Sequence, residues 1–300
     1  MFKKKLTNEA GVYKHSVNNS DTKKVKDFYK SNPFPNYKNN DDKYSILTKG
    51  KNNYLANNFK NFTGHGKYIL EAGCGTGQLS NFFAIGTNHC VVGCDATPES
   101  LHLASNFAKK NDIPNVFFVN ADIFDDVFED NFFDYIWCSG VLHHTNNPRK
   151  AFEILVKSLK NKGYILIGLY NRYGRIRTII RKYFYKLFGI VILNLLDPIL
   201  RNLKLDKEEK NAWIQDQYHH PIESLHTIDE VLLWFSQNNV DFINSIPLAN
   251  FGLNLDNNLF IKSGEGNILS RLINQFKMIF NKLGSDGGLF IVIGKKNEQN

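Results

Sequence analysis

Short, mostly apolar runs recur along the chain at 67–72, 89–95, 116–122, 133–139, 163–170, 241–247 and 288–294, with turn-forming Gly, Asn and Asp between them. Runs of this kind read as strands buried on both faces. Helical periodicity fills the gaps. Thr97-Pro98 supplies an N-cap and a first-turn proline. From Pro148 onward, Phe152, Leu155, Val156 and Leu159 share one helical face. Thr227-Ile-Asp-Glu230 has capping-box spacing ahead of Val231, Leu232, Trp234 and Phe235. Alternation of strand and helix predicts βαβ units, hence an α/β fold with a mostly parallel seven-stranded sheet.

The flanking pattern divides the rest. Residues 1–20 are rich in Asn, Lys and Ser with few apolar anchors, and are expected to be mobile. Residues 21–62 are expected to form a helical lid: Asp21 or Thr22 can cap a short helix carrying Val25, Phe28 and Tyr29, which Pro33 ends, and a second helix is expected near 48–59. The core is then 63–170 and 227–296, with a cap inserted at 171–226. A second insertion, 250–286, holds an amphipathic helix at 267–283 whose Ile268, Leu272, Ile273, Phe276 and Phe280 are expected to pack on the sheet or cap.

The most informative stretch is Lys67-Tyr-Ile-Leu-Glu-Ala-Gly-Cys-Gly-Thr-Gly-Gln78. A buried strand, three glycines at alternate positions and a helix start make a turn where backbone can approach a nucleotide-like ligand. The spacing is G-x-G-x-G, not the G-x-G-x-x-G of dinucleotide sites. Glu71 just before it favours a cationic ligand over a pyrophosphate, which disfavours hydride transfer.

Glu71-Ala-Gly-Cys-Gly-Thr-Gly77 resembles the first motif of class I S-adenosylmethionine-dependent methyltransferases, and the likeness extends to about Tyr170. The resemblance implies a doubly wound, Rossmann-like sheet and S-adenosylmethionine as cofactor, held by Glu71, Gly73, Cys74, Gly75, Gly77 and Gln78. It implies that Asp95 accepts the ribose hydroxyls, that Ala96 lies beneath the adenine, and that Asp122, flanked by Ala121 and Ile123, accepts from the adenine amine. Cys138-Ser-Gly-Val-Leu-His-His144 resembles the fourth motif of small-molecule methyltransferases, including those of ubiquinone and menaquinone pathways, which puts Ser139 under the methionine part. The Asn/Asp-Pro-Pro-aromatic and Pro-Cys motifs of adenine and cytosine methylation do not occur there.

In-line methyl transfer needs a base only where the acceptor must lose a proton. His143, just after the fourth strand, is the candidate. An aromatic N-terminal segment covers the site in many enzymes of this class, so Tyr29 and Phe34 are candidate acceptor contacts and Tyr37 joins His143 as a candidate catalytic residue. His144, Tyr170, Arg172, Tyr218, His219 and His220 are further acceptor candidates, because they sit where the cap meets the active edge of the sheet. The competing expectation is that Arg172 and Arg175 pair with Asp216 and Glu223 to hold the cap shut. No carboxylate cluster has metal-ligand spacing with His143 and His144, so no metal is expected.

Charge widens the choice of partner. Lys and Arg exceed Asp and Glu by 37 to 29, for a net charge of +8, with one cluster in residues 1–30 and another from Arg172 to Lys186. A solvated face, a phosphate track and an anionic membrane surface all fit such clusters. The apolar run 187–196 is too short to span a bilayer and reads as a buried or interfacial helix. Cys74, Cys90, Cys94 and Cys138 sit in or beside strands and read as reduced, and no secretory signal opens the chain, so a cytoplasmic location is expected. The leading reading is methyl transfer to a small or lipophilic molecule. An RNA-modifying enzyme and a non-catalytic cofactor-binding protein are the alternatives.

Overall fold

The computed structural model describes residues 1–15, 27–28, 37–38, 40–202, 206–251, 259–280 and 288–298. Its centre is a mixed sheet of nine strands: β1 Thr7–Glu9, β2 Val12–Lys14, β3 Tyr68–Ala72, β4 Cys90–Asp95, β5 Val116–Asn120, β6 Phe133–Ser139, β7 Leu159–Tyr170, β8 Val240–Ile246 and β9 Leu289–Lys296, in the order β1-β2-β5-β4-β3-β6-β7-β9-β8. From β2 to β7 the neighbours are parallel, and β9 runs antiparallel between β7 and β8. All seven expected strands are present.

The other two correct the expectation of a mobile N-terminus. Residues 7–14 form a hairpin whose second strand extends the sheet beyond β5. Ala10 and Gly11 both take positive φ (52° and 87°), the backbone of a tight primed turn. Few anchors hold the segment, but each reaches far along the chain. Val12 is wholly buried, the Phe2 ring meets Tyr13 and Phe128, and Lys3 pairs with Asp126 and Asp130.

Helices cover both sheet faces. On one, α1 Lys43–Asn52, α2 Tyr54–Phe62, α3 Gln78–Ala84 and α4 Pro98–Lys110 pack Ile46, Phe59, Phe82 and Leu101 against Ile69 and Val91. On the other, α5 Pro148–Ser158 and α9 Ile228–Gln237 pack Phe152, Trp234 and Phe235 with Leu70 and Ile136. Alternate strand residues thus serve opposite cores, as a doubly wound sheet requires. The single helix expected at 48–59 is two. Asn53 leaves helical backbone (ψ 107°) and its side chain accepts from Ala56 N, capping α2.

The cap comprises α6 Ile176–Phe188, α7 Ile190–Leu196, α8 Lys207–Ile214 and a single π-helical turn, Gln215–His219. In the second insertion, α10 spans Ile268–Lys277 with Asn267 as N-cap. Its apolar face does not pack on the sheet. Polar contacts set its orientation instead: Gln275 Oε1 accepts from Asn171 Nδ2 (2.9 Å) and Ile228 N (2.8 Å), and Ser270 Oγ donates to the Ala249 carbonyl (2.8 Å). Ile268, Leu272, Ile273 and Phe276 are left exposed. Among the described residues, no helix is long and apolar enough to cross a membrane.

Close packing around the glycine turn makes it a point of fragility. Gly77 has φ +70°, and a Cβ there would lie 2.6 Å from Phe118 and 2.7 Å from Ala104. Gly77→Ala should cost about 2 kcal/mol or more, read as a lower urea midpoint at unchanged slope.

Candidate active site

The glycine turn closes β3 against two neighbouring strand ends. Gly73 N and Cys74 N donate to the Cys94 carbonyl at the end of β4 (2.8 and 3.0 Å). A Cβ on Gly73, which has φ +74°, would lie 2.3 Å from Val141 Cγ2 in the loop after β6. Asp95 locks the arrangement: Oδ2 accepts from Gly75 N and Oδ1 from Thr97 N, each at 2.8 Å. Burial pushes its carboxyl above the usual range, and those two amides pull it back toward ionisation.

Strand ends and cap enclose a cavity of about 440 Å³. Of the residues expected to hold a cofactor, Glu71, Gly73, Cys74, Gly75, Asp95, Ala96, Ala121, Asp122, Ile123 and Ser139 line it. Gly77 and Gln78 do not; they begin α3 behind the turn. Asp122 Oδ1 accepts from Phe124 N at 3.0 Å, while its Oδ2 is buried with no partner among the described residues. Glu71 is buried, its Oε2 accepting from the Ser80 hydroxyl. Burial raises the Glu71 carboxyl to about 8.

At the other end, His144, Thr145, Tyr170, Trp213, Asp216 and Gln217 line the cavity. His144 Nδ1 lies 2.7 Å from the Ile222 carbonyl. A carbonyl only accepts, so Nδ1 carries the hydrogen and Nε2 keeps its lone pair. Burial lowers this imidazole to about 4, so it is neutral at pH 7.

Several expected residues sit elsewhere. His143 is wholly buried beneath Tyr170, ring centroids 3.9 Å apart, with neither ring nitrogen partnered among the described residues, and it does not line the cavity. The turn Leu142–His144 is 3₁₀, so successive side chains point in different directions and His144, not His143, faces inward. Tyr37 also lies off the cavity: its ring stacks on Phe107 at 4.4 Å and its hydroxyl accepts from Asn81 Nδ2 at 3.0 Å. Its buried hydroxyl is pushed further from ionisation than an ordinary tyrosine. Tyr29 and Phe34 fall outside the described residues.

Among the acceptor candidates on the cap, the Tyr218 hydroxyl donates to Asp197 (2.7 Å), His219 Nε2 meets the Tyr185 hydroxyl (3.0 Å), His220 stacks on His144 (3.5 Å), and Arg172 is exposed. None of the four lines the cavity. The π-helical turn inserts an extra residue per turn and brings Asp216 and Gln217 inward in their place. Arg175 is buried and closes the cap, donating from Nε and Nη2 to Glu223 (3.0 and 2.8 Å) while lying over the Tyr170 ring at 3.9 Å. Leu79, Ser100, Thr145, Trp213 and Leu289 also line the cavity without any motif to mark them. Among the described residues there is no group of three or more His, Cys, Asp or Glu placed to hold a metal.

The geometry fits a cationic nucleoside. Glu71, Asp95, Asp122 and Asp216 face the cavity, no Lys or Arg among the described residues lines it, an orphaned carboxylate oxygen awaits a donor, and the glycine turn admits no side chain at Gly73.

Comparison with known proteins agrees. Residues 64–231, more than half of the chain, match the family model described as "Methyltransferase domain". An uncharacterised methyltransferase, YcgJ of Bacillus subtilis, is 33% identical over 99 residues, 33% of this chain and 39% of that protein. A ubiquinone biosynthesis O-methyltransferase of Glaesserella parasuis is 31% identical over 112 residues, 36% of this chain and 47% of that one. The chain thus spans less than half the length of these curated relatives. Magnesium protoporphyrin IX methyltransferase of Synechocystis, solved with bound S-adenosylhomocysteine, superposes with a TM-score of 0.54 at 13% identity, covering 92% of this chain and all of that one, which is a likeness of fold. The chain belongs to the methyltransferase-domain family.

Proposed function

We propose that this protein transfers a methyl group from S-adenosylmethionine to a small, lipophilic acceptor held between the sheet edge and the cap. One observation carries the reading: among the described residues the cavity is lined by carboxylates and by no Lys or Arg, and it runs from the glycine turn to the aromatic rings of Tyr170 and Trp213. The relatives named for ubiquinone biosynthesis support a lipophilic acceptor.

S-adenosylmethionine supplies an already activated methyl group, so the protein's share is alignment and exclusion of water. Glu71 would hold the cofactor's ammonium group, Asp95 the ribose hydroxyls and Asp122 the adenine amine. His144 Nε2 accepts a hydrogen bond from an acceptor hydroxyl and takes its proton as the oxygen is methylated. Tyr170, held by Arg175 and His143, forms a rigid wall beside it.

S-adenosylmethionine or its demethylated product at a hundred times Kd should raise Tm by about 5 °C, and NAD should not. Methyl-labelled cofactor with membrane and soluble small-molecule extracts should then give a labelled product. His144→Ala should lower that turnover by about a hundredfold with cofactor affinity unchanged. A fall in affinity alone would make His144 a cofactor-site residue and remove its role as base.

A further inference from the structure

The cap and the second insertion share an outward face that is apolar and basic, built from helices α6, α7 and α10, which carry no Asp or Glu. On α6 and α7 the exposed side chains include Ile180, Tyr183, Leu187, Phe188 and Val191, the last 75% exposed. On α10 they include Ile268 (71%), Leu269 and Phe276, with Phe280 (75%) just beyond. Two contacts make this one surface: Arg177 Nη1 donates to the Ile279 carbonyl (3.2 Å), and the Tyr173 and Phe276 rings lie 5.9 Å apart.

Helix α10 is turned inside out. It buries Ser270 and Gln275 in specific hydrogen bonds and sends its apolar residues to solvent. A helix oriented that way by buried polar contacts keeps its greasy face available, and exposed apolar area of this extent marks an interaction surface.

We infer that this face docks the protein on an anionic membrane and draws its acceptor from the lipid phase. This rests on the methyl-transfer reading and specifies the source of its acceptor. Charge selects the occupant. Between Arg172 and Leu196, and between Asn267 and Phe280, no Asp or Glu occurs, while Arg177, Lys186 and Lys277 are exposed among the apolar side chains. A second copy of the same face would set those cations against each other. A nucleic-acid backbone would leave the apolar side chains uncovered. Anionic lipid satisfies both components at once, with apolar residues in the acyl boundary and Lys and Arg among the headgroups. The face also adjoins the cavity: the chain passes from cavity-lining Tyr170 through Asn171 into α6, and Asn171 is clasped by Gln275 of α10.

The test is co-sedimentation of the full chain with vesicles of phosphatidylcholine alone, and of phosphatidylcholine and phosphatidylglycerol in equal parts. Binding is expected to the mixed vesicles and to weaken with salt. Leu187→Glu with Phe188→Glu, Ile273→Glu with Phe276→Glu, and Lys186→Glu with Lys277→Glu should each weaken it at least about tenfold. All these side chains are exposed, and the cofactor-induced rise in Tm should be the same in every variant, which separates lost docking from lost folding. No vesicle binding by the wild-type chain, a dimer in sedimentation velocity that the same variants dissolve, or retention of bulk tRNA that they abolish would each overturn the proposal. Vesicle binding without cofactor uptake would instead overturn the methyl-transfer reading and leave the docking surface standing.

Discussion

Asp95→Ala should lower affinity for S-adenosylmethionine by about a hundredfold, the loss expected for two charge-assisted hydrogen bonds. The carboxylate has one role seen in its bonds and one proposed for the ribose, and they separate experimentally. It braces the glycine turn against the start of α4 through Gly75 N and Thr97 N, and its remaining lone pairs are available to the ribose hydroxyls. Removing it loosens both, so the free variant should also melt earlier. The ribose contribution is isolated by a double cycle in which the cofactor's 2′-deoxy analogue replaces the cofactor. The analogue should bind the wild type more weakly than the cofactor does, and the two should bind the variant alike. Equal affinities in the wild type would remove the ribose assignment while leaving the bracing role intact.

The second large effect is a pH dependence of cofactor binding set by Glu71. Burial outweighs the Ser80 hydroxyl bond and raises this carboxyl to about 8. Below that pH the free protein holds it protonated. A cationic ligand favours the ionised form, so binding expels a proton. Affinity should climb about tenfold per unit as pH rises toward 8 and level off above. Glu71→Gln should flatten the profile. The sign for stability is opposite. The folded carboxyl binds its proton more tightly than the unfolded one, so this group's contribution is complete below about pH 4.5 and fades as pH rises toward 8. The free protein should therefore lose stability over the interval in which it gains affinity. Calorimetric titration in buffers of different ionisation enthalpy reads the released proton directly, and its absence would contradict the placing of a cation beside Glu71.

What the sequence makes legible is whatever backbone periodicity and strand ends dictate. Strand ends in a parallel sheet converge, so Glu71, Gly73, Asp95, Asp122 and Ser139 meet once the strands are recognised. The errors lie where a local geometry overrides the period. A 3₁₀ turn exchanges His143 for His144, and a π-helical turn replaces Tyr218 and His219 with Asp216 and Gln217. In α10, buried hydrogen bonds from Ser270 and Gln275 outweigh an apolar stripe, a choice that depends on partners at Asn171, Ile228 and Ala249. The Arg175–Glu223 pair was readable as a charge match but not as a buried one, because burial there follows from cap helices with no counterpart in the core motifs.

The hairpin at residues 7–14 has a consequence for how the chain can be trimmed. It occupies the parallel edge of β5, and its own outer strand is short and carries Glu9, bridged to Lys14. A chain begun after residue 15 would uncover a flat row of amides and carbonyls flanked by Phe118 and Val119, a ready template for strands from other molecules. Such a truncation should be recovered as aggregate.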